Sequence, residues 1–178
     1  KKDPFVPKTT FPTADGKLQI YVKNFADKGF DPLPKWMPKR EEPSGQYPFY
    51  LLTVIPAQHI RATTENNRIT NEIYGTNQVH MNPGAARGLG LSEGDLVKVR
   101  SRVGEIQLPL RLTESIRPDC VLVPHGFGHR SRLMTVAYGK GAQDAALIPA
   151  QSMDDIIARR DVGGSGCIMD AVVSVAKA

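Results

Sequence analysis

The densest group of side chains that could do chemistry lies in a polar loop at residues 58–66. An imidazole, a guanidinium, two hydroxyls and two carboxamides occur there, as Gln58, His59, Arg61, Thr63, Thr64 and Asn66. A planar guanidinium among hydroxyl and amide donors suits a phosphate or a heteroaromatic ring. Polar loops after buried strands are also common on protein surfaces that bind nothing. The spacing therefore predicts an anion or ring site, with an ordinary surface loop as the alternative.

A second candidate is a glycine turn at residues 139–144. It places Gln143 and Asp144 directly after Gly139 and Gly141. Glycines let a backbone approach a flat ligand closely, and an amide and a carboxylate can then bond to the edge of that ligand. Without the strand and helix that flank a dinucleotide fingerprint, however, a glycine pair does not identify a phosphate site. The turn indicates ligand contact and leaves the ligand open.

Cys120, His125 and His129 are spaced like metal ligands, but their context argues against a metal site. Cys120 directly precedes an apolar run, and no fourth ligand is placed near them. No serine lies in a nucleophile elbow, since Ser165 is flanked by glycines but lacks the strand, turn and helix of that motif. We predict a ligand-binding domain with no metal ligand and no catalytic group of its own.

The elements that must position these loops are organised around residues 78–99. This stretch reads as a short strand, a capped turn of helix, a tight turn and a second strand. Asn82 is predicted to cap the helix, and Pro83 to occupy its first position, where a missing amide hydrogen costs nothing.

Apolar periodicity predicts the other elements. Strands are expected at residues 17–22, 47–54, 105–112, 121–124 and 170–176, with short helices at 25–29 and 68–75. A further helix is expected after Ser152, with Arg159 and Arg160 in its last turn and its end at residues 163–166. Pro109 on the outer face of one strand predicts an edge position or an unpaired amide. Many short strands joined by short helices indicate a small, mostly antiparallel β-barrel.

Residues 1–46 differ from the rest, because proline recurs throughout them and forbids long helices. We expect an extended arm there, followed by a barrel domain over residues 47–178. The arm carries scattered apolar side chains, namely Phe5, Phe11, Phe30, Leu33, Trp36 and Met37. They would pack either on the flank of the domain itself or on a larger protein body.

Charge and composition exclude several classes of partner. The net charge of +5 permits an anionic ligand, but the basic residues are scattered among acidic ones and form no stripe for nucleic acid. Two cysteines far apart in sequence exclude a disulfide framework and a zinc ribbon. No apolar run approaches the roughly 20 residues of a membrane helix, and the first residues lack the apolar segment of a secretory signal. We therefore expect no nucleic acid partner and no direct membrane insertion.

Six segments spread over nearly the whole chain carry a family resemblance. In chain order they are TADGKLQIY, YPFYLLT with the polar loop after it, VHMNPGAARGLGLSEGDLVKVRSRVGEI, IRPDCVLVPHGFGH, AYGKGAQDAAL and GGSGCIMDAVVSV. Together they resemble the C-terminal molybdopterin-dinucleotide-binding domain of the dimethyl-sulfoxide-reductase family of molybdenum and tungsten oxidoreductases. GFGH and GKGAQD look most like the catalytic subunits of thiosulfate and polysulfide reductases.

The resemblance implies a mainly β fold, a six-stranded double-psi β-barrel with short helices and an extended N-terminal arm, that binds molybdopterin guanine dinucleotide. The loops that face the cofactor in the family correspond here to His59, Arg61, Thr63, Thr64 and Asn66, and to His125, Gly126, His129, Arg130, Gln143 and Asp144. Asn82 is assigned first to helix capping and second to the ligand. Many relatives carry Asn where this chain has Gln143 and Asp144.

The resemblance also implies that the chain is one domain of a larger enzyme, with the arm as the tail of the preceding domain. In the family, the metal-coordinating side chain and the iron–sulfur cysteines belong to upstream domains. This chain alone is thus expected to bind the cofactor, with its molybdenum or tungsten held upstream, and not to turn over. Its implied partners are the upstream catalytic domains and an iron–sulfur electron-transfer subunit, and its implied setting is soluble, at the periplasmic or outer face of the membrane.

Two alternatives come from other classes of protein. Double-psi barrels also include self-processing pyruvoyl enzymes that cut at a Gly-Ser bond, which Gly164 and Ser165 would supply. A non-catalytic nucleic acid binding module is favoured by the net charge alone.

Overall fold

The computed structural model describes residues 7–158 and 168–178. Within these residues the chain divides into two compact units, which are residues 7–38 with 152–158, and residues 39–151 with 168–178. No helix among the described residues is long and apolar enough to cross a membrane.

The larger unit is a closed six-stranded barrel, as the resemblance predicted. Its strands are β1 (Phe49–Val54), β2 (Val79–Met81), β3 (Leu96–Arg100), β4 (Glu105–Leu112), β5 (Cys120–Pro124) and β6 (Val172–Lys177). They close in the order β1-β5-β2-β4-β3-β6. β1 with β5 and β2 with β4 are parallel pairs, and the other four pairs are antiparallel. The mainly antiparallel double-psi barrel is therefore confirmed.

Strand alternation builds the core. In β4 the residues at every second position, Ile106, Leu108 and Leu110, are buried, while Glu105 and Gln107 are exposed. The same period places one face of each strand inside the barrel. The resulting core is continuous and includes Leu51, Val79, Met81, Val97, Val99, Val121 and Val173.

Short helices span the gaps between the strands. In the barrel unit these are α2 (Arg68–Ile73) and α3 (Pro83–Gly88), with 3-10 turns at Arg61–Thr63 and Asp144–Leu147. The predicted cap of α3 is confirmed, since Asn82 Oδ1 accepts the amide of Gly84 at 2.8 Å and Pro83 opens the helix. The helix is held to the barrel by Ala86, which is fully buried.

The smaller unit contains α1 (Lys23–Asp27) and α4 (Met153–Ala158). The predicted cap of α4 is present, because Ser152 Oγ accepts the amide of Asp155 at 3.1 Å. The predictions for Arg159, Arg160 and residues 163–166 lie outside the described residues, as do Ser165 and Cys167.

The strand predicted at residues 17–22 is wrong. The segment is a series of bends in which Val22 donates its amide to Pro32 O at 3.0 Å, and no described strand pairs with it. Leu18 and Ile20 are exposed. Alternation predicts a strand only where a partner edge and a core are available, and this segment has neither.

Of the two alternatives predicted from Pro109, the edge position is wrong, since β4 pairs with β3 on one side and β2 on the other, and the unpaired amide is the one that the structure supports. The amide of Leu110 donates to Asp95 O beyond the end of β3. The nitrogen of Pro109 therefore faces β2, whose pairing with β4 begins one residue later, at Leu110. Proline is tolerated because no ladder hydrogen bond is due at that point.

Candidate functional site

The parallel pairing of β1 with β5 brings two predicted loops to one end of the barrel. Residues 50–54 lie beside residues 120–124, so both strands end at the same level. The amide of His125 donates to Val54 O at 2.8 Å and extends the pairing by one bond. The loop that contains His59 and the loop that begins at His125 therefore leave the barrel side by side.

A cleft of about 490 Å³ lies between these loops and the glycine turn. Its lining consists of Ala62, residues 125–131, Gln143 and Asp144. We call the loop that follows β5, from His125 to Ala137, the histidine-containing loop. The structure thus brings together parts of all three stretches that the sequence singled out, which are the polar loop, the histidine-containing loop and the glycine turn.

Two glycines allow the loops to approach so closely. Gly126 has φ +110°, and a Cβ there would lie 2.9 Å from the backbone carbonyl carbon of Arg61. Gly128 has φ +85°, and a Cβ there would lie 2.5 Å from the backbone nitrogen of Gln143. Any larger residue would force these backbones apart, so the shape of the cleft depends on both glycines.

An imidazole and a carboxylate form one wall of the cleft. His125 Nδ1 lies 2.9 Å from Asp144 Oδ1, and the Asp144 side chain is 1% exposed against 39% for His125. Because an ionised carboxylate only accepts, the Nδ1 proton donates to Asp144 and the ring orientation is set by that bond. Nε2 of His125 is then available to a ligand.

The cleft also offers an unpaired nitrogen and one arginine, and a second arginine lies in the facing loop. His129 Nε2 is buried and has no hydrogen-bond partner among the described residues. A buried nitrogen without a partner is costly unless a ligand or water satisfies it. Arg130 lines the cleft and is exposed, and Arg61 lies in the facing loop, also exposed. Arg61 has φ +50°, which makes it the single non-glycine residue with positive φ in the described part of the chain. Such strain is concentrated at functional sites.

Other predicted residues hold the polar loop in place. His59 is buried, with Nε2 at 2.7 Å from Tyr74 O and Nδ1 at 3.2 Å from Thr64 Oγ1. Thr64 Oγ1 also accepts the amide of Ile60. These side chains are occupied within the protein, so any role toward a ligand would act through the shape of the loop.

The remaining predicted residues lie in three different settings. Asn66 Oδ1 accepts the amides of Val136 at 2.9 Å and Ala137 at 3.2 Å, which ties the polar loop to the histidine-containing loop. Thr63 is exposed on the 3-10 turn. Asn82 caps α3 and does not line the cleft.

Cys120 and His125 lie at opposite ends of the stretch that runs through β5, and the Cys120 thiol is directed to Asp119, with Sγ 3.5 Å from Oδ1. No group of three His, Cys, Asp or Glu side chains that could hold a metal ion occurs within residues 7–158 and 168–178.

Two residues at the site were missed by the sequence reasoning. Asn77 is fully buried and donates to Pro124 O at 2.9 Å and Ala142 O at 2.8 Å, while its Oδ1 accepts the amide of Ala142 at 3.0 Å. It therefore joins the end of β5 to the glycine turn. Glu65 belongs to the polar loop and is buried, with Oε1 3.6 Å from His59 Nδ1. The sequence carried one signal that could have identified Glu65, which is that it is the single acidic residue between positions 55 and 67.

These features define a class of ligand-binding protein. A closed barrel carries at one end an open cleft lined by glycine backbone, histidine nitrogens, an amide and the guanidinium of Arg130, with Arg61 in the adjoining loop. This donor set fits an anionic ligand with a ring system: guanidinium groups match phosphates, and the amide and the unpaired His129 nitrogen match ring edges.

Comparison with known proteins identifies the family. Residues 49–159 match the model of the Molydopterin dinucleotide binding domain, and the chain belongs to that family. It is accordingly a molybdopterin-dinucleotide-binding domain of the molybdenum oxidoreductases, and its cofactor is of the molybdopterin guanine dinucleotide kind.

Several curated relatives share this domain. The chain is 38% identical over 89 residues to the alpha subunit of a formate dehydrogenase from Methanocaldococcus jannaschii, covering 49% of this chain and 13% of that protein. It is 38% identical over 78 residues to the molybdopterin-containing subunit of an arsenate respiratory reductase from Chrysiogenes arsenatis, covering 40% and 9%. It is 26% identical over 135 residues to a dimethyl sulfoxide/trimethylamine N-oxide reductase from Rhodobacter capsulatus, covering 71% and 16%. The matched part thus spans less than a fifth of each relative.

The fold also matches a solved structure. Acetylene hydratase from Pelobacter acetylenicus superposes with a TM-score of 0.71 at 19% identity, covering 96% of this chain and 24% of that chain. At this identity the match supports the fold alone.

Proposed function

We propose that the cleft between the polar loop and the histidine-containing loop holds the dinucleotide cofactor. The observation that carries the proposal is the buried, unpaired Nε2 of His129 in a cleft that also presents Arg130 and Gln143. A nitrogen left without a partner at a cleft wall is the arrangement expected where a ligand completes the hydrogen bonding.

Each side chain would have a distinct role toward the cofactor. Arg61 and Arg130 supply planar cations for the pyrophosphate, which guanidinium groups bind in a bidentate manner. His129 and Gln143 bond to ring edges, and His125, oriented by Asp144, adds a further imidazole nitrogen. The bound group supplies two-electron oxidation or reduction at its metal. The chain's own residues bind and orient the cofactor, and they perform no turnover by themselves.

We further propose that this domain works within a larger enzyme, with residues 1–46 as the tail of a preceding domain. The curated relatives are several times longer than the matched part. Trp36 is 86% exposed, and Leu33 and Met37 are also exposed. Apolar side chains of this size are expected to be covered by protein, and upstream catalytic domains would cover them. An iron–sulfur subunit at the periplasmic or outer face of a membrane completes the proposal.

The proposed substrate is a sulfur compound of the thiosulfate or polysulfide kind. The support comes from the GFGH segment at residues 126–129 and GKGAQD at residues 139–144. A tetrathionate reductase subunit from Salmonella typhimurium also matches, at 26% identity over 110 residues. A substrate screen on the complete enzyme, with formate, arsenate and thiosulfate compared, would test this choice.

The cofactor role is tested by Arg61→Gln in the full-length enzyme. Gln keeps a polar, non-glycine residue at the strained position but removes the charge. Retention of the guanine dinucleotide after gel filtration should fall about tenfold, as expected for loss of one charge-assisted contact. The melting temperature should barely change, because an exposed loop arginine contributes little to folding.

Arg87→Gln is the matched control, since Arg87 is an exposed arginine on α3, outside the loops that form the cleft, whereas Arg61 lies in the polar loop next to the cleft residue Ala62. It should leave cofactor retention unchanged. Unchanged retention in Arg61→Gln would contradict the proposed role, and so would parallel losses of retention and melting temperature.

A further inference from the structure

A second cleft lies on the outer wall of the barrel. Four outward-facing residues form a row across β1, β5, β2 and β4. The strand register pairs Leu52 with Leu122, Leu122 with His80, and His80 with Arg111. These four residues line a cleft of about 350 Å³, together with Thr113, Ser115 and Ile116.

The floor and one end of this cleft differ in chemistry. Leu52, Leu122 and Ile116 are apolar and give the floor a surface suited to a hydrocarbon body. At one end of the cleft, His80 Nε2 is buried and has no hydrogen-bond partner within the described residues. Arg111 is exposed and forms no ion pair in that part of the chain. An imidazole nitrogen and a guanidinium that both lack a partner can donate hydrogen bonds to the same anionic group when the nitrogen carries a proton.

Hydroxyl groups extend the polar end. Thr113 Oγ1 accepts the amide of Ser115 at 3.1 Å, which leaves its own hydroxyl hydrogen free to donate. Glu93, whose charge acts on His80, accepts the amide of Leu112, and Glu114, next to Thr113 in sequence, accepts from the side chain of Asn82. Neither of these acids lines the cleft. The residues that line its polar end are therefore rich in donors, and among them Arg111 carries a positive charge.

Binding of an anion is expected to change the charge of His80. Burial and the nearby Arg111 lower the pKa of His80, and Glu93 opposes them. Near neutral pH the ring is thus uncharged while the cleft holds no anion. A carboxylate placed between His80 and Arg111 would favour the charged ring, so anion binding and protonation of His80 would reinforce each other.

We propose that this outer cleft binds a small monocarboxylic acid, with Arg111 and His80 holding the carboxylate and the two leucines and Ile116 holding the apolar body. The volume suits a small acid. An inorganic anion such as phosphate would leave the apolar floor unused. The cleft is lined by different residues from those of the dinucleotide cleft, so the proposal does not depend on the cofactor role.

The test uses the 178-residue chain and three probes, benzoate, its uncharged isostere benzamide, and inorganic phosphate. Two-dimensional amide NMR would follow Leu52, Leu122 and Thr113 during each titration. Benzoate should produce saturable shifts, with benzamide and phosphate binding at least about tenfold more weakly. No saturable shift with benzoate, or phosphate binding as tightly as benzoate, would overturn the proposal.

Two variants and a control identify the residues. Arg111→Gln should weaken benzoate about tenfold, whereas Arg100→Gln, at an exposed arginine of β3 outside the cleft, should leave it unchanged. Benzoate affinity should rise as pH falls, and His80→Phe, which keeps a ring and removes both nitrogens, should abolish that rise. Equal affinity in Arg111→Gln and the parent chain, or an unaltered pH trend in His80→Phe, would refute the assignment.

Discussion

Glu65 should make the stability of the chain fall as pH rises. Its side chain is 1% exposed, and neither carboxylate oxygen has a hydrogen-bond partner among the described residues. Nε2 of His59 lies 2.7 Å from Tyr74 O, and Nδ1 lies 3.6 Å from Glu65 Oε1, so no hydrogen bond joins the imidazole to the carboxylate. Burial raises the pKa of Glu65 from 4.5 to about 7, with partial opposition from His59.

The direction in which stability changes with pH depends on whether the folded or the unfolded chain binds the Glu65 proton more tightly. The folded chain binds the Glu65 proton more tightly than the unfolded chain does, so the stabilisation is complete below about pH 4.5 and is lost as pH rises through about 7. At about 1.4 kcal/mol per pH unit, the loss amounts to about 3 kcal/mol. Glu65→Gln removes the ionisable group and should escape this loss.

The assay is urea unfolding of the parent chain and the variant at about pH 4.5 and about pH 8.5. The stability of Glu65→Gln relative to the parent should rise by about 3 kcal/mol between the two conditions. Glu72→Gln, at an exposed glutamate paired with Arg68 on α2, is the control and should show no such trend. A parent-to-variant difference that is the same at both pH values would refute the reasoning.

Two further predictions separate folding from binding. Asn82→Ala should lower the free energy of unfolding by about 1 kcal/mol through loss of the α3 cap, measured by urea denaturation, with cofactor retention in the full enzyme unchanged. Gly128→Ala should lower both the melting temperature and cofactor retention, measured by calorimetry and cofactor analysis, because the new Cβ would lie 2.5 Å from the backbone of Gln143; a variant with normal retention would show that the cleft tolerates the methyl group.

Most of the barrel could be predicted from the sequence because its information is local. In β4 the alternation of apolar and polar residues matches the alternation of burial along Glu105–Leu112. The cap of α3 is equally local, since Asn82 and Gly84 are two positions apart. The failed strand at residues 17–22 has the same alternation, and it shows that a pattern cannot report whether a partner edge exists.

The roles of the loop residues could not be predicted, because their partners are distant in sequence. Asn66 binds backbone amides 70 and 71 positions further along the chain, and Asn77 binds Ala142 at a separation of 65. Polar loops have no period that distinguishes inward from outward side chains. His59 and Arg61 therefore look alike as ligand candidates in sequence, although the structure buries the first and exposes the second.

The cleft itself is a consequence of topology more than of any motif. β1 and β5 are parallel, so residues 55–66 and residues 125–131 leave the barrel at the same end. If β5 ran antiparallel to β1, the second loop would begin at the opposite end, and neither the contact of Gly126 with Arg61 nor the bonds of Asn66 to Val136 would form. The donors that the sequence scatters over more than 80 positions converge because one parallel pair aligns two strand ends. Side chains that hold this alignment should therefore affect binding and stability together, whereas Arg61 and Arg130, which only present charge, should affect binding alone.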